Sequence, residues 1–133
     1  MGAEARKTIL IVEDNEVNRL VLTGLIGERA ARIITAENGA RGVDVFASEA
    51  VDFIFMDVDM PVMDGVAATR AIRACEAKEA RKPAPIVAVT AHVDDATRAE
   101  CKNAGMNDFI AKPVTAAIIE DALARWLKPA DEN

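Results

Sequence analysis

Val51-Asp52-Phe53-Ile54-Phe55-Met56-Asp57 is an apolar run that ends on a carboxylate, and the stretch after it, Val58-Asp59-Met60-Pro61-Val62-Met63-Asp64-Gly65, is rich in turn residues. Three other apolar runs close in a similar way. Ile9 to Val12 runs into Glu13-Asp14, Ile86 to Val89 into Thr90, and Phe109 to Ala111 into Lys112-Pro113. In an open parallel sheet, residues just past the carboxyl ends of the strands converge on one crevice. The four run ends therefore read as parts of one polar site.

Working outward, five short apolar runs alternate with longer segments of helical period. The runs are Ile9 to Val12, Ala31 to Thr35, Phe53 to Met56, Ile86 to Val89 and Phe109 to Ala111. The first, third and fourth are nearly all apolar, as strands covered on both faces are. Helical segments are expected to begin near Glu16, Ala40, Val66, Asp94 and Thr115. Asn38-Gly39 and Asp64-Gly65 signal helix starts, Lys82-Pro83-Ala84-Pro85 a stop, and Asn103-Ala104-Gly105 an end. Regular strand and helix alternation means right-handed parallel crossovers, and so an α/β three-layer sandwich.

At 133 residues, with half of them apolar, the chain is expected to form one domain (1–133, core about 8–128) with short polar ends and no repeats or linkers. A net charge of −6 argues against a nucleic-acid surface and favours proteins or small anions as partners. Cys75 and Cys101 lack any metal-ligand spacing and read as small buried hydrophobes in a reducing compartment. No apolar run approaches the roughly 20 residues of a membrane span, and the start lacks a signal-peptide core. A cytoplasmic protein with no membrane association is expected. The mixed charges from Glu76 to Lys82 read as a solvated helix end.

Glu13, Asp14 and Asp57 bring up to three negative charges to one crevice, which is costly unless a cation compensates or a carboxyl takes up a proton. Hard carboxylate oxygens without His or Cys nearby favour Mg²⁺ over zinc. A Mg²⁺ held by few protein ligands keeps positions open for phosphate oxygens, and a carboxylate such as Asp57 can act as nucleophile to give an aspartyl phosphate. Lys112 and the Thr90 hydroxyl would then face the phosphoryl oxygens from the other side.

These residues resemble the receiver domain of two-component response regulators. The resemblance rests on Ile11-Val12-Glu13-Asp14-Asn15, Met56-Asp57-Val58-Asp59-Met60-Pro61-Val62-Met63-Asp64-Gly65, Val87-Ala88-Val89-Thr90-Ala91 and Asp108-Phe109-Ile110-Ala111-Lys112-Pro113, four motifs in order, each at a strand end. It covers Ile9 to about Leu127, and the variant Glu13-Asp14-Asn15-Glu16-Val17-Asn18-Arg19 is similar to receivers of hybrid histidine kinases. The resemblance implies a flavodoxin-like sandwich of five helices around a five-stranded parallel sheet of order 2-1-3-4-5. It implies a phosphoacceptor of a two-component system or phosphorelay, not a metabolic enzyme, with a histidine kinase or histidine phosphotransfer protein as donor. By the same resemblance Asp57 accepts the phosphoryl group; Asp14 and Asp57 by their side chains and Asp59 by its backbone carbonyl hold Mg²⁺ or Mn²⁺, and Glu13 joins them mainly through a bound water. Lys112 pairs with the phosphoryl group, Pro113 follows a cis bond, and Thr90 and Phe109 form the switch pair.

Three further readings concern tuning and contacts. His92 and the side chain of Asp59, each two residues past a site residue, are placed to alter the lifetime or formation of an acyl phosphate; for His92 a plain exposed loop residue is the alternative. Val17, Leu20, Val21, Leu22, Leu25 and Ile26 spread over more of the first helix than one core stripe needs, so Val17, Leu20 and Val21 are expected to dock the donor, with burial under a loop as the alternative. Trp126, Leu123 and Leu127 are expected to pack the last helix on the sheet, and an output contact through the last helix and strand is the minority reading. Competing functions are a haloacid-dehalogenase-like phosphatase, which Asp57-Val58-Asp59 also resembles, and a binding module of the same fold that is never phosphorylated. Pro61 and the placement of the acidic pair before Asp57 weigh against the first, and the complete acidic, Asp, Thr and Lys set against the second.

Overall fold

The computed structural model describes residues 7–30 and 32–127. The expectations for the polar ends, for Lys128 and for a strand beginning at Ala31 lie outside the described residues. In chain order the elements are β1 (Thr8–Val12), α1 (Glu16–Ile26), a single 3₁₀ turn (Gly27–Arg29), β2 (Arg32–Ala36), α2 (Gly39–Ser48), β3 (Phe53–Asp57), α3 (Gly65–Lys78), β4 (Ile86–Thr90), α4 (Asp95–Ala104), β5 (Asp108–Ala111) and α5 (Ala116–Trp126). The strands form one parallel sheet of order β2-β1-β3-β4-β5.

Helix starts follow local capping chemistry. Asn15, Asn38, Asp64, Asp94 and Thr115 each stand in extended backbone and accept a hydrogen bond from the N–H three residues on. Such a side chain satisfies one of the N–H groups that a first helical turn leaves without a partner. The caps explain why α2 and α3 open at Gly39 and Gly65, one residue before the positions expected from periodicity. Gly105, at φ 113°, ends α4 in the left-handed region that glycine enters without a Cβ penalty.

Alternate residues of the sheet feed two cores. Leu10, Val12, Ile54, Met56, Ile86 and Ala88 meet Phe46 of α2, Val66, Ala68 and Ile72 of α3, and Cys101 and Ala104 of α4. The other face packs Ile9, Ile11, Phe53, Phe55, Val87 and Val89 against Leu22 and Ile26 of α1 and Ile119, Ala122 and Leu123 of α5. Every residue of β3 and β4 is buried, whereas the edge strands β2 and β5 are partly exposed. Each of the Val, Leu, Ile, Phe and Met side chains among them contributes about 1.5–3 kcal/mol through burial. Trp126 packs at the margin of the second core and its indole N–H donates to Asp108 at 2.9 Å.

In the stretch from Glu76 to Lys82 the charges of Lys78, Glu79 and Lys82 are exposed, as a solvated end would have them, while Glu76 and Arg81 depart from that reading. Glu76 is buried, bridges to Arg73 and accepts from the Ala84 N–H at 2.7 Å. Arg81 donates to the carbonyls of Phe46 and Glu49 and lies over the Phe46 ring. The proline-containing loop folds back so that Glu76 holds it through Ala84, while Arg81 reaches across to the end of α2.

Register brings the four strand ends to one level. Val12 pairs with Met56, Asp57 with Val89, and Thr90 with Ala111. The residues after these pairs therefore emerge side by side above the sheet.

Candidate functional site

Asp57 ends β3 and is only 4% exposed. The following loop folds back tightly enough that Gly65 donates to the Val58 carbonyl at 2.9 Å, and a Cβ at Gly65 would collide with the Asp57 carbonyl oxygen. Glycine is therefore required where the loop crosses the strand end. From β1, Glu13 is buried and Asp14 is exposed. One carboxylate oxygen from each of Glu13, Asp14 and Asp57 can be chosen so that all three lie within 4.8 Å of one another. Asp14 does not cap α1; Asn15 does, accepting from Asn18 at 2.9 Å, which leaves the Asp14 carboxylate free for the cleft.

Lys112 closes the other side. Its ammonium donates to Glu13 at 3.0 Å and lies 3.5 Å from Asp57 Oδ1. The second Glu13 oxygen accepts from the Asn15 N–H at 3.0 Å, and Arg19 donates to the Glu13 carbonyl at 2.8 Å. Burial pushes the Asp57 carboxyl up to about 7, with the neighbouring Glu13 charge adding to the rise and Lys112 opposing it. For Lys112, burial favours the neutral amine, but the Glu13 hydrogen bond and the charges of Asp57 and Glu13 outweigh it and raise the ammonium above its usual range. The peptide bond from Lys112 to Pro113 is cis.

Thr90, fully buried, sits on the neighbouring strand. Its hydroxyl donates to Asp59 at 3.4 Å and accepts from the His92 N–H at 3.0 Å, and the His92 ring meets the same Asp59 carboxylate. His92 is thus exposed yet engaged. Phe109 on β5 is half-buried, with the Arg98 guanidinium over its ring. On α1, Leu22 and Ile26 face the core while Val17, Leu20 and Val21 are 65%, 67% and 45% exposed. The sequence reading missed three contacts: the direct bond between Glu13 and Lys112, the Asn15 cap, and Arg98. Only the cap carries a local signal, an Asn just before a helical run.

Hard oxygen donors grouped around a cleft suit an octahedral cation of the Mg²⁺ or Mn²⁺ kind, and no sulfur or imidazole competes within the cluster. A bound cation would relieve the penalty that burial and the neighbouring Glu13 charge impose on the Asp57 carboxylate.

Sequence comparison matches residues 9–124 to the response regulator receiver domain. The hybrid signal transduction histidine kinase A of Dictyostelium discoideum is 41% identical over 122 residues, which is 91% of this chain and 6% of that protein. The chain thus spans a small fraction of such curated relatives. Among solved structures, the receiver domain of the sensor histidine kinase PA1611 from Pseudomonas aeruginosa, with a magnesium ion coordinated in its active-site cleft, superposes with a TM-score of 0.80 at 37% identity, covering 92% of this chain and 98% of that one. A co-crystal of the Saccharomyces cerevisiae phosphotransfer protein Ypd1 with the receiver domain of Ssk1 gives 0.85 at 28% identity, covering 92% and 89%.

The raised Asp57 carboxyl makes stability depend on pH when no metal is bound. In the fold it holds its proton to about pH 7, against 3.8 as its ordinary value. Its stabilising contribution is fully present below about 3.8 and is lost as pH rises through 7. Asp57→Asn carries no charge at any pH, so in a chelator the variant should gain stability over the parent as pH rises, by up to about 4 kcal/mol. Urea unfolding of both proteins at about pH 4, 6 and 8 measures this; a difference that stays constant would show an ordinary carboxylate.

Proposed function

Since the chain belongs to the response regulator receiver family, whose domains are the phosphoacceptor modules of two-component signalling, we propose that Asp57 is the residue that takes the phosphoryl group. One observation carries this assignment: a buried strand-end carboxylate sits between two further carboxylates and one ammonium. An Asp57 oxygen forms the new bond to phosphorus as the donor's phosphorus–nitrogen bond breaks and the histidine imidazole leaves. Glu13, Asp14, Asp57 and the Asp59 backbone carbonyl would hold Mg²⁺ or Mn²⁺. When bound, that cation supplies positive charge against the phosphoryl oxygens.

Lys112 already stands 3.5 Å from Asp57 and contributes the opposing charge. Thr90 contributes its hydroxyl, which must leave Asp59 to reach the new phosphoryl group. That movement vacates space beside β5 into which the Phe109 ring turns, changing the surface of β5 and α5 that a downstream protein reads. The chain is modified once per donor encounter and does not turn over substrate as a metabolic enzyme does.

The donor is a histidine kinase or histidine phosphotransfer protein, and α1 is its docking face. Of the exposed Val17, Leu20 and Val21, the last lines a groove of about 390 Å³ together with Leu22, Lys112, Pro113 and Val114, so apolar contact at α1 leads to the Lys112 side of the site. No helix among the described residues is long and apolar enough to cross a membrane. Free thiols at Cys75 and Cys101 accord with a reducing, cytoplasmic setting.

Intact-mass measurement after incubation with Mg²⁺ and phosphoramidate should show a single added phosphoryl group in the parent and none in Asp57→Asn or in chelator. An adduct that persists in the variant would move the acceptor elsewhere. Leu20→Asp should slow transfer from a phosphohistidine protein by about tenfold or more while sparing phosphoramidate; equal loss with both donors would remove α1 as the docking face. His92→Ala should slow hydrolysis of the acyl phosphate, and Asp59→Asn, by removing a charge that repels anionic donors, should speed phosphorylation by phosphoramidate. Unchanged rates in both would take the pair out of the mechanism.

A further inference from the structure

Phe109 is half-buried on the edge strand β5, and the residue directly opposite it on β4 is Ala88, two positions before Thr90. Its ring is not simply left at the surface. Arg98, one turn into α4, places its guanidinium carbon 4.5 Å from the ring centroid. Among the described residues no carboxylate lies within ion-pairing distance of Arg98, so the ring face is the partner its charge has found. A cation at this distance from an aromatic face is attracted by the ring quadrupole. Beside the pair runs a groove of about 300 Å³ lined by Arg98, Cys101, Met106, Asp108 and Phe109. The ring thus packs on the margin of the first core with one side and meets the groove and the Arg98 cation with the other.

We propose that Arg98 is a positioning residue that holds the Phe109 ring in its outward, resting position and so sets the balance between the two states of the switch. This rests on the reading of Thr90 and Phe109 as a switch pair. Turning inward, the ring must leave the guanidinium, so the contact exists in one state only. A contact made in one of two states shifts their ratio by the whole of its free energy. For an exposed cation over an aromatic face the shift is about two- to fivefold in the ratio of states. The bias needs the positive charge, not merely the bulk of the side chain.

Fluorine NMR of protein labelled with 4-fluorophenylalanine tests both layers. The Phe109 resonance is assigned by its disappearance in Phe109→Leu, and its position is followed in the unmodified protein and in protein held phosphorylated with Mg²⁺ and excess phosphoramidate. In the parent the resonance should move on phosphorylation. In Arg98→Gln, which keeps the stem and drops the charge, the phosphorylated protein should show an inward-to-outward ratio about two- to fivefold higher than the parent, with Arg98→Lys falling between the two. If the parent resonance moves but Arg98→Gln gives the parent ratio, Arg98 does not position the ring, and the switch reading stands without it. If the parent resonance does not move although intact mass shows the phosphoryl group in place, the switch reading fails and this proposal with it. A shift equal in Arg98→Gln and Arg98→Lys would overturn the role of charge.

Discussion

One ammonium faces two buried carboxylates at the top of the sheet, and the upper half of the molecule is arranged around that imbalance. Glu13 and Asp57 are almost wholly withdrawn from water, and Lys112 reaches both. Withdrawal from water disfavours the charged form of Asp57, the neighbouring Glu13 charge adds to this, and Lys112 offsets only part, so the carboxyl rises to about 7. The site is therefore poised to take up positive charge, whether as a proton or as a metal ion. The same electrostatic deficit that makes Asp57 uncomfortable without metal suits it to a reaction in which cations surround a phosphoryl group.

Such a cluster adds little to stability, since desolvation of buried ions consumes most of what their attraction returns. Stability comes from below. The central strands β1, β3 and β4 place apolar side chains into two separate cores, so the carboxylates stand on a rigid platform. Loops above the platform then carry the chemistry at fixed positions. Gly65 lets the loop after β3 cross the Asp57 carbonyl, and Arg19 ties α1 to the carbonyl of Glu13. The division between a packed base and a charged rim is the usual compromise at functional sites.

The proposed switch residues occupy adjacent strands, and each is held by a contact that phosphorylation would have to break. Thr90 gives its hydroxyl to Asp59, which in turn meets His92; Phe109 lies beneath Arg98. Both restraints come from loops or helices on the β4 side of the sheet. They are polar contacts at or near the surface, each weak enough for a single new phosphoryl group to outweigh.

What the amino-acid order determined by itself was local. Continuous apolar runs marked buried parallel strands, Asn and Asp before Gly marked helix starts, and a carboxylate, hydroxyl or lysine after each run marked the rim, because strand burial and capping depend on neighbours within a few residues. Asp57, Glu13, Asp14, Thr90 and Lys112 were legible for that reason. Tertiary structure alone decided which acidic residue is buried and which is exposed, that Glu76 lies inside although its segment looks solvated, that His92 meets a carboxylate 33 positions away, and that Arg98 covers Phe109. These depend on how separate helices and loops settle over the sheet, where the partner of a side chain is set by register and packing between elements distant in sequence, and no periodicity or turn signal records it.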